Sequence, residues 1–189
     1  MRAGIGPAAS RRSQYEYWAA RAVPGVRFRN CGVPGERTDQ IAGRLAGCAQ
    51  RAEALIIQGG INDVAQALAG GRRLERRTVD AAARNLDRMA AAAKRMGLAV
   101  LVANLLPWNG GHPRADAWIA RLNEGIHAIG QRRGVAVLPF HGTLERPPGS
   151  GLMRPDLTSD GEHPSIAGYA LLGEEAVAPA LHRIVERAR

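Results

Sequence analysis

Residues 78–103 read TVDAAARNLDRMAAAAKRMGLAVLVA. Thr78 to Met96 is a long Ala-rich stretch with helical spacing, Gly97 suits its left-handed end, and Leu98–Ala103 is a continuous apolar run. A short apolar run without alternation fits a strand covered on both faces. The passage recurs: Arg114–Arg133 reads as a helix, Gly134 closes it, and Val135-Ala136-Val137-Leu138 follows. Helix, glycine and buried strand, taken twice, is the order of parallel βαβ units. Ala54-Leu55-Ile56-Ile57 is a third such run, broken by Gly59-Gly60. The expected fold is α/β with a parallel sheet, in one domain spanning residues 1–189.

The flanking segments fill in the order. Residues 14–22 predict a helix capped by Ser13, with Tyr17 and Trp18 on its buried side. Val26–Asn30 alternates apolar and polar residues and predicts a strand near an edge. Ile41, Leu45 and Cys48 predict a helix capped by Thr38 or Asp39. A short helix is expected over Val64–Leu68, then a basic loop from Gly70-Gly71. The last helix is expected over Ser165–Arg187, after a Pro/Gly-rich loop from His141 to Ser159. Sites in parallel sheets form in loops at the carboxyl ends of strands. Gly32–Gly35, Gly59–Asp63, Asn104–Pro113 and His141–His163 are the loops expected to converge.

Composition narrows the partners. Of 189 residues 46% are apolar, so a real core is available. No apolar run approaches the ~18 residues of a membrane helix. Met1-Arg2 leads into Gly, Pro and Ser, not an apolar leader, so a cytoplasmic chain is expected, or a secreted one if the N-terminus is incomplete. Net charge is +9, and Lys94 is the only lysine, so the cations are almost all arginine. They are scattered, and the dense group Arg72-Arg73 with Arg76-Arg77 has no interleaved aromatics, so neither nucleic acid nor membrane is the expected partner. Cys31 and Cys48 lack metal-ligand spacing and read as two free thiols. Oligomeric state is not legible.

The chemistry centres on Ser159-Asp160-Gly161-Glu162-His163-Pro164. A carboxylate three residues before a histidine can hold the imidazole in one tautomer, which suits a general base. The plain alternative is a polar turn before a helix. Acyl transfer also needs donors for the oxyanion. Gly35 offers an unobstructed backbone N–H and Asn62 a side-chain amide; the plain alternatives are a turn glycine and a helix cap. Trp108 and the Arg146–Pro155 loop fit the lining of an acyl or sugar pocket, and Trp108 equally fits packing. A metal site from His141, His163, Asp160 and His112 matches no zinc spacing and is set aside. Nothing in the sequence implies a cofactor.

Taken together, these stretches resemble blocks of the SGNH/GDSL hydrolase superfamily, esterases and lipases with a flavodoxin-like three-layer α/β/α fold. Val33-Pro34-Gly35-Glu36-Arg37-Thr38 resembles its second block, Gly60-Ile61-Asn62-Asp63 its third, and Asp160-Gly161-Glu162-His163-Pro164 its fifth. Asn104-Leu105-Leu106-Pro107 resembles the segment after its fourth strand, and the likeness spans residues 4–173. The resemblance implies a serine esterase acting on a small ester, an acetylated sugar or a lysophospholipid. It implies His163 as base, Asp160 as its orienting acid, and Gly35 and Asn62 as the oxyanion hole. The first block, Gly-Asp-Ser-x-x-x-Gly, is met only at its end by Gly4, with Ile5-Gly6-Pro7 as a usual continuation. Its serine then falls one position before Met1, so the nucleophile and the first strand are expected upstream of this chain. Ser10 and Ser13 lack the Gly-Asp setting and are not expected to replace it. The alternative is a non-catalytic ligand-binding relative on the same fold.

Overall fold

Three apolar runs pair into one parallel sheet in the computed structural model, which describes residues 10–70, 72–111 and 113–187. In chain order the elements are α1 (Tyr15–Ala22), α2 (Thr38–Ala49), β1 (Ala54–Ile57), α3 (Ile61–Ala69), α4 (Arg72–Arg95), β2 (Ala99–Ala103), α5 (Ala115–Arg133) and β3 (Ala136–Leu138). After them come α6 (Phe140–Leu144), a 3₁₀ turn (Pro155–Leu157), α7 (Ile166–Leu171), a π-helical segment (Leu172–Val177) and α8 (Ala178–Arg187). The strand order is β1-β2-β3. Ala54 stands opposite Ala99, and Leu101 opposite Ala136. β2 lies in the middle and is buried over most of its length, as its unbroken apolar sequence requires.

The chain divides into two compact units. One consists of Gly32–Leu105 and His112–Leu138 and holds the sheet. Its α4 packs on β1 and β2, and α5 on β2 and β3. Val79, Ala82, Leu86, Met89, Ala90 and Ala93 are buried at intervals of three and four residues, which is the apolar stripe of a helix. α5 ends on Gly134 at φ +59°, whose N–H donates to the Gly130 carbonyl. Polar pairs stitch α4 to α5. Arg121 donates to Asp80 at 2.9 and 3.1 Å, and Arg133 to Asp87 at 2.7 and 3.0 Å. Buried Glu75 accepts from Arg114 at 2.6 Å and from the Trp118 indole at 2.7 Å.

The other unit consists of Met1–Cys31, Leu106–Gly111 and Pro139–Arg189. Tyr15 packs edge-on against the buried Phe140, with ring centroids 5.1 Å apart. Gly173 lets α1 approach closely: a Cβ there would stand 2.6 Å from the Tyr15 carbonyl oxygen.

Several expectations change. Val26–Asn30 forms no strand, because alternation selects a face but a strand exists only through a neighbour's hydrogen bonds, and none pairs with it among the described residues. α3 begins at Ile61, so Asn62 and Asp63 lie in its first turn. α4 starts at Arg72, within the expected basic loop, where Arg114 and Trp118 tie Glu75. Gln14 precedes α1 without a side-chain cap, and Tyr17 and Trp18 are half-buried. The expected last helix contains the π-helical segment, two residues before Pro179. Proline has no N–H to continue the α ladder, and such bulges absorb the mismatch. The two cysteines, expected as free thiols, are disulfide-bonded. Gly4, Ile5-Gly6-Pro7 and His112 lie outside the described residues.

Candidate active site

Asp160 and His163 meet within a tightly tied loop. One Asp160 carboxylate oxygen accepts the backbone N–H groups of Glu162 (2.9 Å) and His163 (2.7 Å). The other lies 2.8 Å from His163 Nδ1. Desolvation pushes the Asp160 carboxyl up, but the His163 backbone and ring hydrogen bonds and the Glu162 N–H outweigh it and hold the pKa down at about 2. The carboxylate is therefore an acceptor only, so Nδ1 carries the proton and Nε2 is left as the acceptor. Nε2 makes no hydrogen bond among the described residues.

The loop is held from several sides. The His163 carbonyl accepts from Ser159 N–H (2.9 Å) and Thr158 Oγ1 (2.9 Å), and Thr158 Oγ1 accepts from Gly161 N–H (2.8 Å). Gly161 sits at φ +89°, where a side chain is strained. Asn109 N–H donates to the Gly161 carbonyl at 2.8 Å. The Asn109 side chain also pairs with both backbone groups of Met153, at 2.6 and 2.8 Å. Asn109 thus ties two loops together. Downstream, Ser165 caps α7 by accepting from Gly168 N–H at 3.2 Å.

Gly35 and Asn62 belong to the other unit. Val33–Glu36 is a turn closed by Glu36 N–H on the Val33 carbonyl (3.3 Å), with Pro34 then Gly35 at φ +79° in its middle. Pro followed by a positive-φ glycine is the sequence of a type II turn. The Gly35 N–H is unbonded among the described residues. Asn62 Nδ2 donates to the Glu36 carbonyl at 3.0 Å. An amide nitrogen has two N–H groups, and Asn62 spends one of them on this bond. Each of the two expected donors therefore keeps one N–H for a ligand.

Asp63 reads in the sequence only as part of the Gly60–Asp63 block or as a helix cap, and the structure buries it. Its two oxygens accept from Thr38 N–H (2.9 Å) and Thr38 Oγ1 (2.8 Å). Burial pushes its carboxyl up, opposed by those bonds. Thr38 opens α2 without capping it, since Arg37 is the cap position.

The remaining candidates are used otherwise. Ser10 and Ser13 join in a short N-terminal turn, with Ser10 N–H on Ser13 Oγ at 3.1 Å. His141 lies 3.6 Å from Glu145. The described residues contain no group of three His, Cys, Asp or Glu able to hold a metal ion. The Trp108 indole N–H is buried and has no partner among the described residues. A cavity of about 390 Å³ is lined by Glu75, Pro113, Arg114, Ala117 and Trp118, apart from the expected site residues. No described helix is long and apolar enough to cross a membrane.

Residues 3–171 match the model of a family described as GDSL-like lipase/acylhydrolase. No curated protein matches the chain. Solved structures give the same architecture. A G-D-S-L family protein from Desulfitobacterium hafniense is 18% identical with a TM-score of 0.72, covering 89% of this chain and 88% of its own. A member of the lipolytic G-D-S-L family from Veillonella parvula is 16% identical with a TM-score of 0.71, covering 96% and 92%. A catalytic mutant of an acetylxylan esterase from Geobacillus stearothermophilus is 19% identical with a TM-score of 0.71, covering 95% and 82%. At these identities the likeness speaks to the fold alone.

Proposed function

The chain belongs to the GDSL-like lipase/acylhydrolase family, and we propose that its full-length form is a serine hydrolase of carboxylic esters. The observation that carries the reading is the 2.8 Å contact of Asp160 with His163 Nδ1. It leaves Nε2 as the base. In this reading a serine directly before Met1 attacks the ester carbonyl. His163 Nε2 takes the serine proton and later returns a proton to the leaving alcohol. Asp160 steadies the imidazolium, and the N–H groups of Gly35 and Asn62 receive the oxyanion. Water then attacks the acyl-serine by the same route. The substrate class is a carboxylic ester with a small acyl group or an acyl chain on a polar alcohol: a small ester, an acetylated sugar or a lysophospholipid.

The test starts with the DNA read in frame upstream of Met1. An apolar run ending in Gly-Asp-Ser is expected. The chain extended by that segment should hydrolyse p-nitrophenyl acetate and take one fluorophosphonate adduct on that serine. An extended chain that carries the serine but neither hydrolyses nor labels overturns the reading. A stop codon or unrelated residues there would leave the non-catalytic relative as the better account.

A further inference from the structure

Asp63 is the buried ionisable group that the proposed reaction does not use, and its bonds run to the turn that carries Gly35. That turn is poorly packed. Gly35 is exposed, and nothing lies within 4 Å of where its Cβ would be. Its place is therefore set by polar anchors, and the first turn of α3 supplies two. Asn62 Nδ2 donates to the Glu36 carbonyl, one residue after Gly35 (3.0 Å). Asp63 accepts from Thr38, three residues after Gly35, through both carboxylate oxygens (2.9 and 2.8 Å). Neighbouring residues of one segment thus donate and accept across to the other. One bond alone would leave a pivot, whereas two in opposite senses fix register and rotation. The anchors are backed in turn. Asn85 on α4 donates to Thr38 Oγ1 at 3.0 Å, and Arg44 on α2 holds the Glu36 carboxylate through both oxygens, with Nε at 2.9 Å.

We propose that Asp63, acting through Thr38, is a positioning residue that sets the N–H groups of Gly35 and Asn62 as a matched pair of donors. The inference rests on the reading of those two as the oxyanion hole. The residue type follows from the chemistry. Thr38 presents two donors to one side chain, and a carboxylate offers two acceptor oxygens where a carboxamide offers one. Removing one oxyanion donor costs about 10²–10³ in turnover. Loosening both without removing either is expected to cost kcat about 10–100-fold, with KM little changed.

The test needs no catalysis for its first arm. In the ¹⁵N-labelled chain, Asp63→Asn and Thr38→Val are expected to move and broaden the Asn62 side-chain and Gly35 amide signals. Thr38→Ser, which keeps both donors, is expected to restore them. Signals left in place in the variants, even with a lower melting temperature, overturn the proposal, because a merely structural role does that. If Asp63→Asn fails to fold, the Val and Ser variants at Thr38 carry the comparison. The second arm uses the serine-bearing extended chain with p-nitrophenyl acetate. A kcat within threefold of wild type in Thr38→Val also overturns the proposal. An extended chain with no activity at all sinks the hydrolase reading, while the spectra still decide the brace.

Discussion

Asp160 spends its two oxygens on three hydrogen bonds, two of them from backbone that closes its own loop. It therefore shapes the loop as well as orienting the ring. Its folded pKa of about 2 lies below the usual value of 3.8. A depressed carboxyl contributes stability that is complete above its unfolded pKa and is lost as pH falls through the folded one. The melting-temperature gap between wild type and Asp160→Asn should thus hold from pH 7 to about 4 and close toward pH 2; a gap that persists at pH 2 contradicts it. If the serine-bearing extended chain cleaves esters as proposed, Asn62→Ala should lower its kcat by about 10²–10³, and a loss under threefold removes Asn62 from the oxyanion role. These residues were legible for different reasons. Asp160 and His163 are three apart, so their meeting is local. Thr38 and Asp63 are 25 apart, and each reads locally as a helix cap. Nothing in either neighbourhood signals that they bond each other.

At the scale of elements, the buried strands were legible because an unbroken apolar run has one stable setting, between two covering layers. Val26–Asn30 was misread because a strand depends on its neighbour. The π-helical segment before Pro179 was also missed, although the proline was its signal. α7 shows what a helix can require of one position. A Cβ at Gly168 would lie 2.3 Å from the Leu157 carbonyl oxygen and 3.0 Å from Pro164. Only glycine lets α7 sit against the loop that carries Asp160 and His163. Gly168→Ala should cost about 1–3 kcal/mol through overpacking and should broaden the His163 ring signals. Gly43 in α2 is the control, with nothing within 4 Å of its missing Cβ. Gly43→Ala should stabilise by about 0.4–1 kcal/mol, because the unfolded chain loses freedom. Denaturant midpoints for the pair test this; equal shifts in one direction would contradict it.

For the whole molecule, the parallel α/β class followed from helix, glycine and strand repeated along the chain, and the family match over residues 3–171 agrees. The disulfide did not follow, because cysteine spacing does not report which side chains approach in space. The arginine-rich charge looked like compositional bias, yet Arg114, Arg121 and Arg133 are committed to carboxylates of α4. That choice of cation sets alkaline endurance. A guanidinium stays charged where an ammonium is losing its proton, so these pairs persist through mildly alkaline pH. Both cysteines are bonded and add no thiol to titrate. Burial, with the nearby charges of Glu16 and Asp160, pushes Tyr169 up to about 12, and burial likewise raises Tyr15. A raised folded pKa contributes stability that is complete below the unfolded value and fades as pH climbs through the folded one. The melting temperature should therefore stay level from pH 8 to about 10 and decline only above it; a decline that starts at pH 8 contradicts this. Pairs made by lysines would weaken across that upper range, and those made by Arg114, Arg121 and Arg133 keep their charge through it.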